Sequence, residues 1–448
     1  FLNDSGLSSL TTKIPAGLHL SSAGIGNYGI PLVLEGYGYI FDKGMLSDIF
    51  GSENSEKLAN DLRSCSFTEF EGFVAAVDTW ISAPSAAEIT LNGHKYTFSA
   101  EKSGRAKNLT GVFSLNNEST RALEHLLSTA LAAKFQSRYE IMSAAEEAVS
   151  GMENVLKAYA EVLDFQTSHI AGAEGTVSRG EEFTRGDYNY STSVDLFTRG
   201  NALFYPGGTS DTADFEKSSA GFSENLDIIP MKLPLSDEDI TASGMTAEKL
   251  QSSIVIGSRY YLAVNPKADE NLSAAAKDFI NWIYNDEAGK TAYSSAFGGV
   301  PFNFEYLIGT PGTENGSFES SEESSSSPME ENKSSENAKS SPKTENPEPS
   351  PENSSQNEEN PDMVGPMNPS HKLNSSLMEA VAEYYSAGNW IPDLSFALPA
   401  DFAEKILGES LSDFWGMEIW TDSDRKNFVD TIIGGWKERL DDDKTAVG

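Results

Sequence analysis

The chain has 448 residues and a formal net charge of −36. This length allows about two or three compact domains with large cores. So acidic a surface repels phosphate groups, which argues against nucleic acid or an anionic membrane surface as a partner. The single cysteine, Cys65, cannot form an internal disulfide and excludes a zinc site built from cysteines.

Within the given residues, no apolar run approaches the roughly 18 residues that a transmembrane helix needs, and no segment has the pattern of a signal peptide. The chain begins at Phe1, without Met, in a segment that has the pattern of a helix. We therefore expect an N-terminal truncation, with any export signal or lipid-anchor cysteine upstream of Phe1.

The first strong element is the apolar run at 32–41, which follows a turn at 26–31 and is predicted to be a strand. Glu35, Gly36 and Gly38 interrupt it, and glycine within a strand often marks a bend or a close approach.

A helix and a hairpin are predicted next. Apolar residues at helical spacing between 67 and 77 predict an amphipathic helix. Residues 89–98 alternate around Asn92-Gly93, the favoured pair of a type I′ turn. The histidines share no spacing typical of metal ligands and are interpreted as surface or packing residues: His94, His125 and His169.

A second glycine-containing run lies at 195–209, DLFTRGNALFYPGGT. It predicts the end of a helix, then a buried strand, then a turn at Gly207-Gly208. Residues 226–233 form another buried, strand-like run.

A strand, a helix and a turn follow between 254 and 304. Residues 260–264 are apolar, aromatic or β-branched and stop at Asn265-Pro266, which predicts a buried strand. The next helix is predicted at 274–284, with Ser273 as its cap. Its predicted apolar face is Ala275, Phe279, Ile280, Trp282 and Ile283, and Trp282 is interpreted as a core residue.

Residues 309–370 are rich in Ser, Glu, Asn and Pro and hold almost no aliphatic side chains. Such a segment cannot bury enough apolar area to offset its ordering entropy, so we predict disorder. It is interpreted as a passive insertion, with a contact to the cell wall or a partner as the alternative. Three further helices are predicted after it, at 373–385, 402–411 and 423–440.

Several of these segments, in this order, resemble the family 1 extracellular solute-binding proteins of bacterial ABC transporters, the maltose-binding-protein-like group. The main matching segments are 31–43, 195–209 and 256–303. The last segment carries five family pieces in the family's order and spacing: Ile256-Gly257, Tyr261 to Asn265, Ala275 to Tyr284, Asp286 to Gly289 and Gly299 to Asn303. The resemblance covers nearly the whole chain apart from the predicted insert and the missing start.

This resemblance implies an α/β, two-lobe periplasmic-binding-protein type II fold whose strands cross between the lobes at a hinge, plus the disordered insert. It implies that residues 1–36 are part of lobe 1, 37–256 are lobe 2 and 257–308 return to lobe 1. Residues 309–370 would be the insert, and 371–448 C-terminal helices that belong mainly to lobe 2.

The resemblance also implies a ligand site between the lobes. The implied ligand-binding residues are Glu35, Tyr37, Tyr205, Gly207, Gly208, Arg259, Tyr260 and Trp390. The resemblance implies that Glu35 is a hinge carboxylate that faces the ligand cleft, and a surface residue at a bend is the alternative interpretation. For the aromatic members, core packing is the alternative interpretation. In one respect the sequence departs from the family, because Thr209-Ser210-Asp211 stands where the family has a stacking tryptophan after the glycine turn.

The function implied is that of an extracytoplasmic receptor that captures a small solute, foremost a sugar or oligosaccharide, by lobe closure. Its partners would be this solute and the membrane permease of an ABC importer. We expect a monomeric lipoprotein on the outer face of the cytoplasmic membrane, with no nucleic-acid partner, cofactor, metal or catalytic residue. Two alternatives stay open: a carbohydrate-active enzyme that uses two carboxylates, and a surface adhesion or interaction protein.

Overall fold

The structure is a computed structural model, and it describes residues 7–11, 14–20, 28–117, 121–184, 188–258, 260–286, 288–289, 292, 300–301, 375–398 and 406–446. The predicted insert and Arg259 lie outside these residues. The described residues belong to the unit formed by 1–308 and 371–448.

Strands and helices alternate along much of the described chain. The strands are β1 (Ile30–Pro31), β2 (Val33–Asp42), β3 (Glu88–Leu91), β4 (His94–Thr97), β5 (Gly111–Phe113), β6 (Ile170–Ala171), β7 (Thr176–Val177), β8 (Ala202–Gly208), β9 (Leu226–Ile229), β10 (Ile254–Gly257), β11 (Tyr261–Leu262), β12 (Val300–Pro301) and β13 (Trp390–Pro392). The helices are α1 (Ser8–Thr11), α2 (Lys43–Phe50), α3 (Ser52–Ser64), α4 (Phe67–Ser82), α5 (Arg121–Ala132), α6 (Arg138–Met142), α7 (Glu146–Ser150), α8 (Glu153–Thr167), α9 (Glu181–Thr184), α10 (Tyr190–Thr198), α11 (Thr212–Ser218), α12 (Ala247–Gln251), α13 (Glu270–Asn285), α14 (Ser376–Ala387), α15 (Gly408–Gly416) and α16 (Asp422–Ala446).

Strand β2 is the centre of the main sheet. The strand order is β13-β10-β2-β8-β5-β6-β7, and β9 and β12 also pair with β2. The pairs of β2 are antiparallel, whereas β10–β13 and β5–β8 are parallel. A mixed sheet with helices packed on it confirms the predicted α/β class.

All ten residues of β2 are buried, as expected for a strand that is covered on both faces. Atoms of other segments lie so close to two positions inside the strand that only glycine fits there. A Cβ atom on Gly36 would collide with the side chain of Val381 on α14, and one on Gly38 with the carbonyl oxygen of Ile229. The predicted close approach is therefore confirmed.

The buried apolar side chains of the described residues form two clusters that share β2. Tyr39 and Phe41 belong to one cluster, and Ile40 between them belongs to the other. This division follows from the alternation of side chains along a strand. The hairpin of β3 and β4 also forms as predicted, with positive φ angles of 47° at Asn92 and 77° at Gly93.

Helix α13 differs from its prediction in two ways. It begins at Glu270, where the Asp269 side chain accepts a hydrogen bond from the Leu272 amide, rather than after Ser273. Its buried face is Ile280, Ile283 and Tyr284. The interpretation of Trp282 as a core residue is wrong, since 40 % of its side chain is exposed, as is 54 % of Phe279. The helix carries two neighbouring apolar stripes, and periodicity alone does not tell which one faces inward.

Within the part of the chain that the structure describes, no helix is both long and apolar enough to cross a membrane.

Candidate functional site

Three of the predicted site residues, Glu35, Tyr37 and Gly208, meet where β2, β8 and β10 lie side by side. In the strand register, Tyr37 is opposite Gly208, and Glu35 is opposite Gly257. The Tyr37 hydroxyl donates a hydrogen bond to Glu35 Oε2. Gly208 leaves room for the Tyr37 ring, because a Cβ atom there would collide with it. The structure thus places side by side parts of the three segments that carry the resemblance, 31–43, 195–209 and 256–303.

Both side chains of this pair are deeply buried. Glu35 is 4 % exposed and Tyr37 is 2 % exposed. The alternative that Glu35 is a surface residue at a bend is therefore wrong. That alternative failed because all ten residues of β2 are buried, Glu35 among them.

The ring of Tyr37 stacks on the imidazole of His125 from α5, with ring centroids 3.5 Å apart and an angle of 18° between the planes. His125 is buried. Its interpretation as a surface or packing residue is confirmed for packing, but no sequence pattern indicates that it packs on a predicted site residue. Only the tertiary fold brings α5 to β2.

Asp393 completes this group and was missed by the sequence analysis. Its Oδ2 lies 3.8 Å from His125 Nδ1. Its Oδ1 accepts hydrogen bonds from the hydroxyls of Ser128 at 2.8 Å and Ser395 at 2.6 Å. Its amide donates to the Ile256 carbonyl at 3.0 Å, which fixes this carboxylate beside β10. A single aspartate after a short strand carries no sequence signal that would have found it.

Tyr205 and Gly207 lie on the opposite face of β8 from Gly208, because side chains alternate along a strand. The Tyr205 ring packs against Phe197 and Phe215, with centroids 5.4 and 5.0 Å apart. Burial raises the pKa of the Tyr205 phenol well above its usual value. The core-packing alternative therefore describes Tyr205 in this structure.

Residues 209–211, which follow the two glycines, hold the end of β8 in place. Gly207 and Gly208 belong to this strand, so the turn predicted at these two residues is wrong. Residues Thr209–Asp211 form a short 3-10 helix. Asp211 Oδ2 accepts a hydrogen bond from the Gly208 amide at 2.9 Å, and Asp211 Oδ1 accepts one from the Tyr190 hydroxyl at 2.9 Å. Burial and the nearby Asp211 raise the pKa of Tyr190. Residues 209–211 therefore supply no aromatic ring in place of the tryptophan that the resemblance leads one to expect.

Of the other predicted residues, Arg259 lies outside the described part of the chain. Tyr260 is 55 % exposed. Trp390 is half-buried, starts β13 opposite Ile254, and stacks on Tyr385 with centroids 5.4 Å apart. The structure therefore does not bring the Trp390 ring onto Tyr37.

The group of Glu35, Tyr37, His125 and Asp393 offers carboxylate acceptors, a phenol and an imidazole around aromatic surface. Such groups can bind hydroxyls and the apolar faces of a small polar molecule. Among the described residues, no set of three or more His, Cys, Asp or Glu side chains has the arrangement of a metal site.

Comparison of the sequence with characterised proteins gives no match. Among solved structures, the chain is similar to a chitin oligosaccharide binding protein, with 12 % identity, a TM-score of 0.49, and coverage of 98 % of this chain and 78 % of that one. It is similar to a Streptococcus pneumoniae solute-binding protein in complex with the blood group A-trisaccharide, with 12 % identity, a TM-score of 0.47 and coverage of 98 % and 78 %. It is also similar to the maltose-maltodextrin binding protein of Alicyclobacillus acidocaldarius, with 12 % identity, a TM-score of 0.38 and coverage of 96 % and 81 %.

The sequence profile of one family, described as bacterial extracellular solute-binding protein, matches residues 6–311. This match spans more than half of the chain and includes β2, β8 and β10. The chain therefore belongs to the family of bacterial extracellular solute-binding proteins.

Proposed function

We propose that this protein captures a sugar or oligosaccharide outside the cytoplasm and delivers it to the permease of an ABC importer. Family membership supports extracellular solute capture. The observation that carries the sugar proposal is the buried group at the strand crossing, in which Tyr37 donates to Glu35 and stacks on His125. Carboxylates accept hydrogen bonds from sugar hydroxyls, and aromatic rings pack on the apolar CH faces of sugar rings.

The proposed site lies at the hinge between two lobes. Residues 1–36 and 257–308 would form lobe 1, and 37–256 with most of 371–448 would form lobe 2. The pairing of Glu35 with Gly257 supports a hinge here, because it sets the two crossover segments side by side. Because Glu35 and Tyr37 are buried, a solute would reach them only when the lobes separate, and it would favour the closed state by binding between them.

Binding without turnover is part of the proposal, as are a monomeric state, a lipid anchor upstream of the given residues and the lack of a nucleic-acid partner. The net charge of −36 supports the last point, since phosphate groups would be repelled. A sugar that binds and is recovered unchanged would distinguish this function from that of a carbohydrate-active enzyme.

A thermal-shift screen of the full-length protein against sugars and polyols tests the proposal. Ligands that bind only the folded state raise the unfolding midpoint by mass action. We expect at least one sugar to raise the midpoint, with no product detected by chromatography after incubation. A panel without any shift, or a sugar that is cleaved, would overturn the proposal.

Two variants test whether a sugar found in this screen binds at Glu35 and Tyr37. Tyr37→Phe removes the hydroxyl that donates to Glu35 but keeps the ring on His125, and we expect about tenfold weaker binding, the size of one hydrogen bond to a charged group. Tyr139→Phe is the matched control, since Tyr139 is exposed on α6, and it should bind like the parent protein. Equal affinity of the two variants would move the site away from Glu35 and Tyr37.

A further inference from the structure

The consecutive helices α15 and α16 face each other across a groove, and this groove is a cavity of about 140 Å³. Its lining residues recur at helical spacing along both helices, so one face of each helix forms one wall. The walls include Asp413, Phe414 and Met417 on the side of α15, and Trp420, Asp424 and Phe428 on the side of α16. The groove is separate from the candidate site around β2, because no residue of that site lines it.

Three aromatic side chains form the floor of the groove. The ring of Trp420 packs on Phe414 and Phe428, with centroids 4.2 and 5.3 Å apart. All three residues are buried, so their rings fill the space between the helices and leave only a shallow apolar surface to the cavity. A floor of this kind suits the methylene part of a side chain.

The end of α15 is fixed by backbone contacts to a distant segment. Arg179 Nε donates to the Met417 carbonyl at 2.9 Å, and the Gly180 amide donates to the Trp415 carbonyl at 2.8 Å. The groove is therefore formed before any ligand arrives. A ligand that enters such a preformed groove loses little free energy to ordering of the protein.

The polar part of the walls is acidic. Asp413 and Asp424 both line the groove. Hydrogen bonds from the hydroxyl of Thr421 at 2.6 Å and from its amide at 2.9 Å lower the pKa of Asp424, which keeps this carboxylate ionised at neutral pH. Residues 408–424 contain no lysine, arginine or histidine, and their acidic residues are Glu409, Asp413, Glu418, Asp422 and Asp424.

The basic residues at the start of α16 are paired with other acids. Arg425 lies 3.4 Å from Asp164 and 3.7 Å from Asp422. Lys426 forms an ion pair with Asp430. Because the described residues that line the groove include no basic side chain, its two carboxylates present a negative charge to a ligand.

The size of the groove and its apolar rim limit what it can hold. At roughly 30 Å³ per molecule, the cavity has room for about five waters, well below the roughly 300–1,000 Å³ of a pocket for a whole small molecule. It therefore fits one side chain rather than an oligosaccharide. Beside it, Met417 is 36 % exposed and Ile419 is 78 % exposed, which offers apolar surface to a residue next to that side chain.

We propose that this groove is a docking site for an arginine side chain from a basic, partly apolar segment of a partner protein. The methylene stem of the arginine packs on the aromatic floor, and its guanidinium binds the carboxylates of Asp413 and Asp424. An apolar neighbour of the arginine covers Ile419. Arginine suits the site better than lysine, because its planar fork can serve two carboxylates at once. This inference goes beyond solute capture and does not depend on it.

The first test is a nuclear magnetic resonance titration of the full-length protein, with the indole N–H of Trp420 as the reporter. The probe is acetyl-Leu-Arg-Leu amide, and acetyl-Leu-Gln-Leu amide is the uncharged control of the same length. Trp420→Phe identifies the reporter signal. We expect the arginine peptide to shift this signal and the glutamine peptide to leave it in place. The absence of a shift at millimolar arginine peptide, or equal shifts with both peptides, would overturn the proposal.

The second test removes the charges of the groove one at a time. Asp413→Asn and Asp424→Asn should each weaken binding of the arginine peptide about two- to fivefold, the range for an exposed ion pair. Asparagine at 424 can still accept the hydrogen bonds from Thr421, so the helix start is kept. Asp430→Asn is the matched control, since Asp430 is exposed on α16 and does not line the groove. Equal weakening in all three variants would mean that the acidic chain attracts cations in general, and it would overturn the site.

The third test concerns the apolar neighbour. Ile419→Ser should weaken binding of the arginine peptide but not of arginine amide, which has no leucine to place on Ile419. Arginine amide that binds the parent protein as tightly as the peptide would overturn a protein segment as the partner. Maltotriose that shifts the Trp420 signal would make the groove a sugar subsite and would overturn the proposal as well. A failure of the sugar screen leaves all three tests unchanged.

Discussion

Gly36 of β2 lies directly against the side chain of Val381 on α14, with no room between them for even one methyl group. The same residue is paired with Ile256 of β10. Helix α14 can therefore approach the crossing of β2 and β10 only because position 36 carries no side chain.

Gly36→Ala should lower the free energy of unfolding by about 1–3 kcal/mol, the usual cost of overpacking a core. Urea denaturation followed by circular dichroism measures this change. Gly72→Ala on α4 is the matched control, because a Cβ atom there meets nothing within 4 Å. That control should be neutral or stabilising by up to about 1 kcal/mol, as alanine is the better helix former.

The double variant Gly36→Ala/Val381→Ala completes this test. Removal of the two Val381 methyl groups creates the space that the new methyl group needs, so the second change should cost less in the Gly36→Ala background than alone. Simple additivity would show that the contact between α14 and β2 is not what requires glycine.

Lys232 is buried, and burial lowers the pKa of its ammonium from 10.5 to about 8. Its Nζ donates to the backbone carbonyls of Gln251 at 2.8 Å and Arg63 at 3.3 Å. Between these two pKa values the unfolded chain binds more protons than the folded chain. The free energy of unfolding should therefore rise with pH between about 8 and 10.5, in total by roughly 3 kcal/mol from this group.

Urea denaturation at pH 7, 8, 9 and 10 checks this slope in the parent protein and in Lys232→Met. The difference in stability between the two should change with pH above about 8 and stay constant below it, where the lysine is protonated in both states. A difference that does not change between pH 7 and pH 10 would contradict the lowered pKa.

Arg63 binds Asp227 through both carboxylate oxygens, at 2.7 and 2.9 Å, and Asp227 is buried. Arg63→Met should destabilise the protein by about 3 kcal/mol, because it takes the guanidinium away from a buried charge. Lys95→Met breaks an exposed ion pair with Glu88 and should cost less than about 1 kcal/mol. The denaturation midpoints of the two variants are compared with that of the parent protein. Similar losses of stability in both variants would show that the burial of Asp227 does not strengthen its ion pair.

Helix α13 offers a pair of adjacent residues with opposite exposure. Ile283 is buried, so Ile283→Ala should cost about 2–4 kcal/mol. Trp282→Ser should cost less than Ile283→Ala, because Trp282 is 40 % exposed whereas Ile283 is 5 % exposed. Thermal unfolding of both variants tests which stripe of α13 faces the core. A larger drop in the unfolding midpoint for Trp282→Ser would show that the Trp282 stripe is the buried one.

Local chemistry explains what could be predicted from the sequence. The Asn92-Gly93 turn was predicted because these two residues themselves favour its backbone conformation, and the glycines of β2 because glycine within an apolar run often marks a close approach. The resemblance to a family selected Glu35, Tyr37 and Gly208, and the strand register brings these three together.

The features that could not be predicted from the sequence depend on contacts between segments that are distant in the chain. His125 and Asp393 belong to the candidate site only because α5 and the end of β13 pack beside β2 and β10. The orientation of α13 depends on which neighbour covers it, and Tyr284 donates its hydroxyl hydrogen to the Pro31 carbonyl at 2.5 Å. No pattern within a single helix contains that information.

The position of β2 in both the chain and the sheet has a consequence for biosynthesis. This strand comes early, yet its partners β8, β9, β10 and β12 come much later. Such a high contact order slows folding, because the entropy of a long loop is lost before the strand pairs can stabilise the fold. The pairing of β2 can therefore be completed only after the residues of β10 and β12 have been synthesised, and its apolar run depends on late segments of the chain for its burial.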